Sequence, residues 1–97
     1  MTLTILSTAS FNRVVKKLHP KDKKVLDEVV KALAANPTIG EEKRGDLVGV
    51  LVYKFKLNSQ ETLLAYGLRP SKKTPSTVVL LAVGPHENFY TQLKRTK

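Results

Sequence analysis

The segment LVYKFKLNSQETLLAYGL, from Leu51 to Leu68, decides how this chain folds. Leu51, Tyr53, Phe55 and Leu57 alternate along it and share one face of an extended strand, with Leu47 ahead of them on the same side. The opposite face runs Val48, Val50, Val52 and then changes character to Lys54 and Lys56. Asn58-Ser59-Gln60 predicts a hairpin turn, and Glu61 to Leu68 the returning strand. A loop follows from Arg69 to Ser76, carrying Pro70, Pro75 and Lys72-Lys73. Beyond it, Val78 to Val83 is apolar on both faces, the pattern of a central strand covered from both sides. Phe89 and Leu93, four residues apart, predict a short last helix anchored on the sheet.

Upstream of the hairpin the period is that of a helix. Phe11, Val14, Val15 and Leu18 stand at i, i+3, i+4 and i+7, with Arg13, Lys16 and Lys17 on the other side and Thr8 or Ser10 placed to cap the start. His19-Pro20 ends this helix, because the residue before a proline is pushed out of the α region. Pro20 then opens a second helix, whose apolar face is Val25, Leu26, Val29, Val30 and Leu33, and Asn36-Pro37 stops it. His19 is therefore expected to be a hinge residue without a chemical role. Leu3-Thr4-Ile5-Leu6 reads as a first strand, and Thr38 to Asp46 as a loop with Gly40, Gly45, Lys43 and Arg44. The expected order is β-α-α-β-β-β-α. This is an α+β single domain over residues 1–97: an N-terminal strand, an α-helical hairpin, then an antiparallel-rich sheet and a short C-terminal helix.

Composition narrows the function classes. The 97 residues contain no cysteine, so neither a disulfide framework nor a thiolate metal site is available. His19 and His86 lie far apart and without metal-ligand spacing, so no metal and no cofactor is expected. No apolar run approaches the roughly 20 residues that span a bilayer, and no signal-peptide pattern opens the chain, which predicts a cytoplasmic protein without a membrane partner. Seventeen Lys and Arg against eight Asp and Glu leave a net charge of +9. Such a surface attracts a polyanion: nucleic acid, the ribosome, an acidic partner or anionic lipid.

Two places bring chemistry onto that basic surface. Strand alternation puts the ammonium groups of Lys54 and Lys56 on one face, roughly 6.5–7 Å apart along the chain, close to the spacing of successive phosphates. An exposed sheet face that happens to carry lysine fits the same pattern. The second place is the end of the Val78–Val83 strand, where GPHENFY delivers Gly84, His86 and Tyr90. If that end lies against the lysine-bearing part of a neighbouring strand, His86 brings an imidazole of ordinary pKa near ~6.5 to a phosphate-binding surface. Cleaving a phosphodiester uses one group to deprotonate a 2′-hydroxyl, another to protonate the leaving 5′-oxygen, and cations to stabilise the charge on phosphorus. Tyr90, one helical turn on, would stack on a base or orient the RNA. A solvated histidine at a helix start with Phe89 and Tyr90 as packing groups fits equally, and spacing does not choose between them.

Taken together, YKFKL, the following LLAY, LLAVG, the two-helix hairpin and the NPTIGEEKRG loop resemble the RelE/ParE superfamily of bacterial type II toxins over nearly the whole chain. The resemblance implies a toxin neutralised by an acidic cognate antitoxin. In its RelE-type branch the activity is that of a metal-independent endoribonuclease, an mRNA interferase that cuts messenger on the ribosome. Carried over position by position, it implies that Lys54 and Lys56 are the paired phosphate-binding lysines and that Gly84 is the glycine after the last strand. His86 falls where members carry a catalytic arginine or a histidine general acid, and Tyr90 falls close to the family tyrosine. Arg44 resembles a basic residue of the loop before the lysine strand, with Lys43 beside it. One position departs: Leu63 stands where RelE-type toxins bear an arginine, so the missing charge has to come from Arg69 or Arg44 or is absent. ParE-type toxins share the fold without the nuclease residues and inhibit DNA gyrase. Leu63 favours that alternative, and the lysine pair with His86 favours the nuclease. A non-catalytic nucleic-acid-binding module would explain the charge and leave His86 and Tyr90 idle.

Overall fold

Asn58 and Ser59 both take positive φ, 56° and 65°. That left-handed pair is the backbone of a two-residue hairpin turn, whose twist matches that of the strands it joins. The turn is thus one residue shorter than the sequence suggests, and Gln60 already pairs with Leu57. The structure, a computed structural model, describes residues 3–42, 49–70 and 74–85. Within them run β1 (Thr4–Ser7), α1 (Ala9–Lys16), α2 (Pro20–Ala35), β2 (Glu41–Glu42), β3 (Val50–Leu57), β4 (Gln60–Arg69) and β5 (Thr77–Pro85). The last helix expected around Phe89 and Leu93 lies outside the described residues, as do Leu47 and Val48.

The strands form a five-stranded sheet in the order β1-β5-β4-β3-β2. Every pairing is antiparallel except β1 on β5. The α1–α2 hairpin provides the connection out of β1 and covers one face. There Phe11, Leu26 and Leu33 pack on Leu51, Leu64, Tyr66, Val78, Leu80 and Val83. Val14 and Val25, assigned by periodicity to the apolar faces, remain 37% and 40% exposed, because they stand at the margins of the helix stripes. The opposite sheet face has its own apolar cluster of Val50, Val52, Leu63 and Ala65. This explains why β4 is buried on both sides from Thr62 to Tyr66.

Two differences from the sequence expectation have clear causes. Glu41 and Glu42 have low strand propensity, yet they form a short edge strand because they pair with Val52 and Leu51. In β5 the register against β4 slips at Ala65/Tyr66, leaving Leu81 as the extra residue of a bulge. The slip reverses the alternation, so Val78, Leu80 and Val83 all face the helices despite their unequal spacing. Thr8 secures this irregularity. Its hydroxyl oxygen accepts from the Phe11 N–H as the N-cap of α1 and donates to the Leu81 carbonyl at 2.9 Å. His19 also has a defined structural place, as the N-cap of α2, with Nδ1 accepting from the Lys21 N–H at 3.2 Å.

Tyr66 locks the segment that leads into β2. Its ring is fully buried, and its hydroxyl donates to the Pro37 carbonyl at 2.7 Å and accepts from the Gly40 N–H at 2.9 Å. A methyl group on Gly40 would stand 2.5 Å from that hydroxyl, so only glycine fits there without displacement. Burial raises the Tyr66 pKa above its ordinary 10.0, with the Gly40 hydrogen bond opposing that shift. The folded state therefore holds the phenol protonated where the unfolded chain ionises it. This contribution is complete below pH 10.0 and is lost as pH rises from there through the folded-state value. Tyr66→Phe is expected to lower stability by about 1–3 kcal/mol at neutral pH, since it leaves the Pro37 and Gly40 groups without their partner. It should also flatten the alkaline decline. Urea denaturation of both proteins from neutral to alkaline pH checks this, and equal alkaline slopes would refute the assignment.

Candidate nucleic-acid interface

The sheet places Lys54 and Lys56 on the face away from the helices, where the apolar cluster gives way to solvent near the β3–β4 turn. Both side chains are exposed, as alternation predicts. The register then determines their neighbours. Lys56 stands opposite Glu61 and Lys54 opposite Leu63, which in turn pairs with Gly84 of β5. Lys54, Leu63 and Gly84 thus form one row across three strands.

That row modifies the expectation about the strand end. β5 does not adjoin the lysine strand, because β4 lies between them. The end of β5 is nevertheless level with Lys54, about 10 Å away across two strand spacings. His86 follows directly on Pro85, the last residue of β5, and lies outside the described residues together with Tyr90. Lys43 and Arg44 also lie outside them, following Glu42 on the far edge strand.

Leu63 and Arg69 are both described, and they occupy different places. Leu63 is buried at 1% exposure in the middle of the Lys54 row, so the position at which the resemblance to RelE-type toxins implies an arginine is part of the apolar cluster. Arg69 is six residues further along β4, about 20 Å away at the opposite end of the sheet. There it lines a separate cleft of about 290 Å³ with Gly49, Val50, Gly67 and Pro70. Arg69 is therefore not brought together with Lys54 and Lys56 and does not stand in for the charge missing at Leu63.

Sequence reasoning missed Glu61. Its carboxylate lies 4.0 Å from the Lys54 ammonium and on the same face as Lys56, both partners being at least half exposed. In solvent such a pair contributes little to stability. It does, however, put a negative charge beside the two lysines. The signal was present: a two-residue turn fixes Lys56 opposite Glu61 with no further information. On the other side of the sheet, around the same end, Val14, Leu18 and Asp22 meet Leu57, Asn58, Gln60, Thr62, Val83, Gly84 and Pro85 in a cleft of about 210 Å³. Among the described residues no group of three His, Cys, Asp or Glu side chains could hold a metal ion, and no helix is long and apolar enough to cross a membrane.

A small α+β domain of this kind has counterparts among known proteins. The model of one family, described as the ParE-like toxin of type II bacterial toxin–antitoxin systems, matches residues 5–94. The chain belongs to that family. Solved structures resemble the toxin closely in fold. A chain of the RelBE2 toxin–antitoxin complex of Mycobacterium tuberculosis superposes with a TM-score of 0.73 at 23% identity, covering 89% of the toxin and 100% of that chain. A mutant of the Escherichia coli toxin RelE in its free state gives 0.71 at 19% identity, with 99% and 94% covered. The archaeal RelE–RelB complex of Pyrococcus horikoshii gives 0.60 at 16% identity, with 90% and 98% covered. At these identities the likeness is one of fold. No curated protein matches the sequence.

Proposed function

We propose that the toxin is a metal-independent endoribonuclease of the mRNA interferase type, acting on messenger in the ribosome and held inactive by an acidic antitoxin. The observation that carries this reading is that Lys54 stands level, across β4, with Gly84 at the end of the strand that leads into His86, with Lys56 on the same face. In the proposed reaction a ribose 2′-oxygen bonds to the adjacent phosphorus while the bond from phosphorus to the 5′-oxygen breaks, leaving a cyclic phosphate and a 5′-hydroxyl. His86 exchanges a proton with one of these two oxygens, and solvent water takes the 2′-hydroxyl proton or supplies the 5′-oxygen proton at the other. Lys54 and Lys56 bind the phosphate and offset the charge that builds on it, and Tyr90 positions the RNA. Lys43 and Arg44 contribute further phosphate contacts. Glu61 sets the net charge of this surface by opposing the two lysines.

A second reading has a specific observation behind it. Leu63 is buried where RelE-type toxins have a phosphate-binding arginine, and inhibition of DNA gyrase without RNA cleavage needs no such charge. Pulse labelling of protein and DNA synthesis in the first minutes after induction separates the two. The nuclease reading predicts growth arrest with an immediate stop in protein synthesis, cleaved transcripts and initially continuing DNA synthesis. Collapsed DNA synthesis with loss of supercoiling, while translation continues, would replace it with the gyrase reading.

A further inference from the structure

Cleavage through a 2′-oxygen needs two proton transfers, one from the 2′-hydroxyl and one to the departing 5′-oxygen, and His86 accounts for one of them. The strand register puts a second titratable group on the same surface. Glu61 stands opposite Lys56, and its carboxylate is 4.0 Å from the Lys54 ammonium, beside the two groups proposed to hold the phosphate. On its other side β4 pairs with β5 as far as Thr62 opposite Pro85. Glu61 precedes Thr62 and His86 follows Pro85, so the carboxylate is one residue from the point where β5 leads into His86. Half of its side chain is exposed and open to a substrate. The other acids among the described residues stand elsewhere. Asp22, Asp27 and Glu28 are on α2, against the opposite face, and Glu41 and Glu42 are on the edge strand, two strands further from β5.

We propose that Glu61 is the general base of the cleavage reaction, taking the 2′-hydroxyl proton in place of water, and that His86 is therefore the acid at the 5′-oxygen. A carboxylate oxygen of Glu61 accepts the proton as the 2′-oxygen bonds to phosphorus. His86 gives up a proton as the bond from phosphorus to the 5′-oxygen breaks, and solvent returns each group to its starting state. This role explains an acid that otherwise works against its neighbours. An exposed pair such as Glu61 with Lys54 adds little to stability, and its negative charge opposes phosphate binding in the ground state. Once the carboxylate has taken the proton it is neutral, and Lys54 is released from the ion pair while negative charge builds on the phosphate oxygens. The two lysines then act more strongly on the transition state than on bound substrate, which speeds the chemical step. The role given to Glu61 rests on the nuclease reading and adds a residue to it.

The test uses the full chain on ribosome-bound messenger, with single-turnover rates for the chemical step. Affinity is measured separately on a messenger whose cleavage position carries a 2′-deoxyribose and so lacks the attacking hydroxyl. Glu61→Gln is expected to slow cleavage by about 10²–10⁴-fold, at unchanged melting temperature, while binding the deoxy messenger as tightly as the parent or more tightly. Glu61→Asp, which keeps a carboxylate on a shorter arm, should cut faster than Glu61→Gln. A messenger with sulfur in place of the departing 5′-oxygen separates base from acid, because a thiolate leaves without a proton. On that substrate His86→Gln should regain most of its lost rate and Glu61→Gln should not. Glu61→Gln cutting as fast as the parent, losing rate only in step with affinity, or recovering on the sulfur substrate would each overturn the assignment and leave the nuclease reading in place. A parent that leaves messenger intact on the ribosome would overturn the nuclease reading and the role of Glu61 with it.

Discussion

His86→Gln is expected to slow RNA cleavage by about 10²–10⁴-fold, the usual cost of removing one acid–base group from a reaction that depends on it. Glutamine keeps a polar side chain of similar reach and hydrogen-bonding capacity but has no proton to exchange near neutral pH. The expectation is motivated by where β5 ends: Gly84 is level with Lys54 across the sheet, Pro85 is the last residue of the strand, and His86 is next in the chain. The measurement is the cleavage rate of ribosome-bound messenger, with the melting temperature recorded for the same preparations. A variant that cuts as fast as the parent would remove His86 from the reaction. The proton donor would then have to be sought elsewhere, and the gyrase reading would gain.

Lys54→Ala and Lys56→Ala are expected to lower the same rate by roughly tenfold to a hundredfold each, the range for losing a hydrogen bond to a charged group. If both ammonium groups hold one phosphate, the double variant should depart from the product of the single effects. If they hold successive phosphates independently, the effects should multiply. Glu61 sharpens the experiment, because its carboxylate is 4.0 Å from Lys54 and opposes phosphate binding. Glu61→Gln should therefore strengthen RNA binding in the parent and do less in the Lys54→Ala background. Unchanged cleavage in both lysine variants would leave these residues as an ordinary solvated face.

Much of the architecture was legible because it is written in local chemistry. Alternation from Leu51 to Leu57 announced β3, and the unbroken apolar run from Val78 to Val83 announced an interior strand. Pro20 marked the second helix start because it gives up an N–H that a first turn does not use, and the first start was narrowed to Thr8 or Ser10, of which Thr8 is the cap. The exposure of both lysines followed from the same period-two pattern. The charge of +9 and the lack of cysteine, properties of composition alone, had already narrowed the kind of partner.

What escaped the sequence depends on strand order and register, which are settled by long-range packing. Nothing local says that β4 separates β5 from β3, so the strand end leading to His86 was expected one strand nearer to the lysines. Nothing local reveals the bulge at Leu81 either. It exists because Leu80 and Val83 both gain by burial against the helices, while Thr8 satisfies the carbonyl that the slip displaces. Arg69 and Leu63 lie six residues apart on one strand, and a chain position does not convey that this is the length of the sheet. Composition and periodicity decided which face of β3 meets the core and which carries the lysines. Only the tertiary pairing decided which charges meet, because a charge acts through space on whatever neighbour the register supplies.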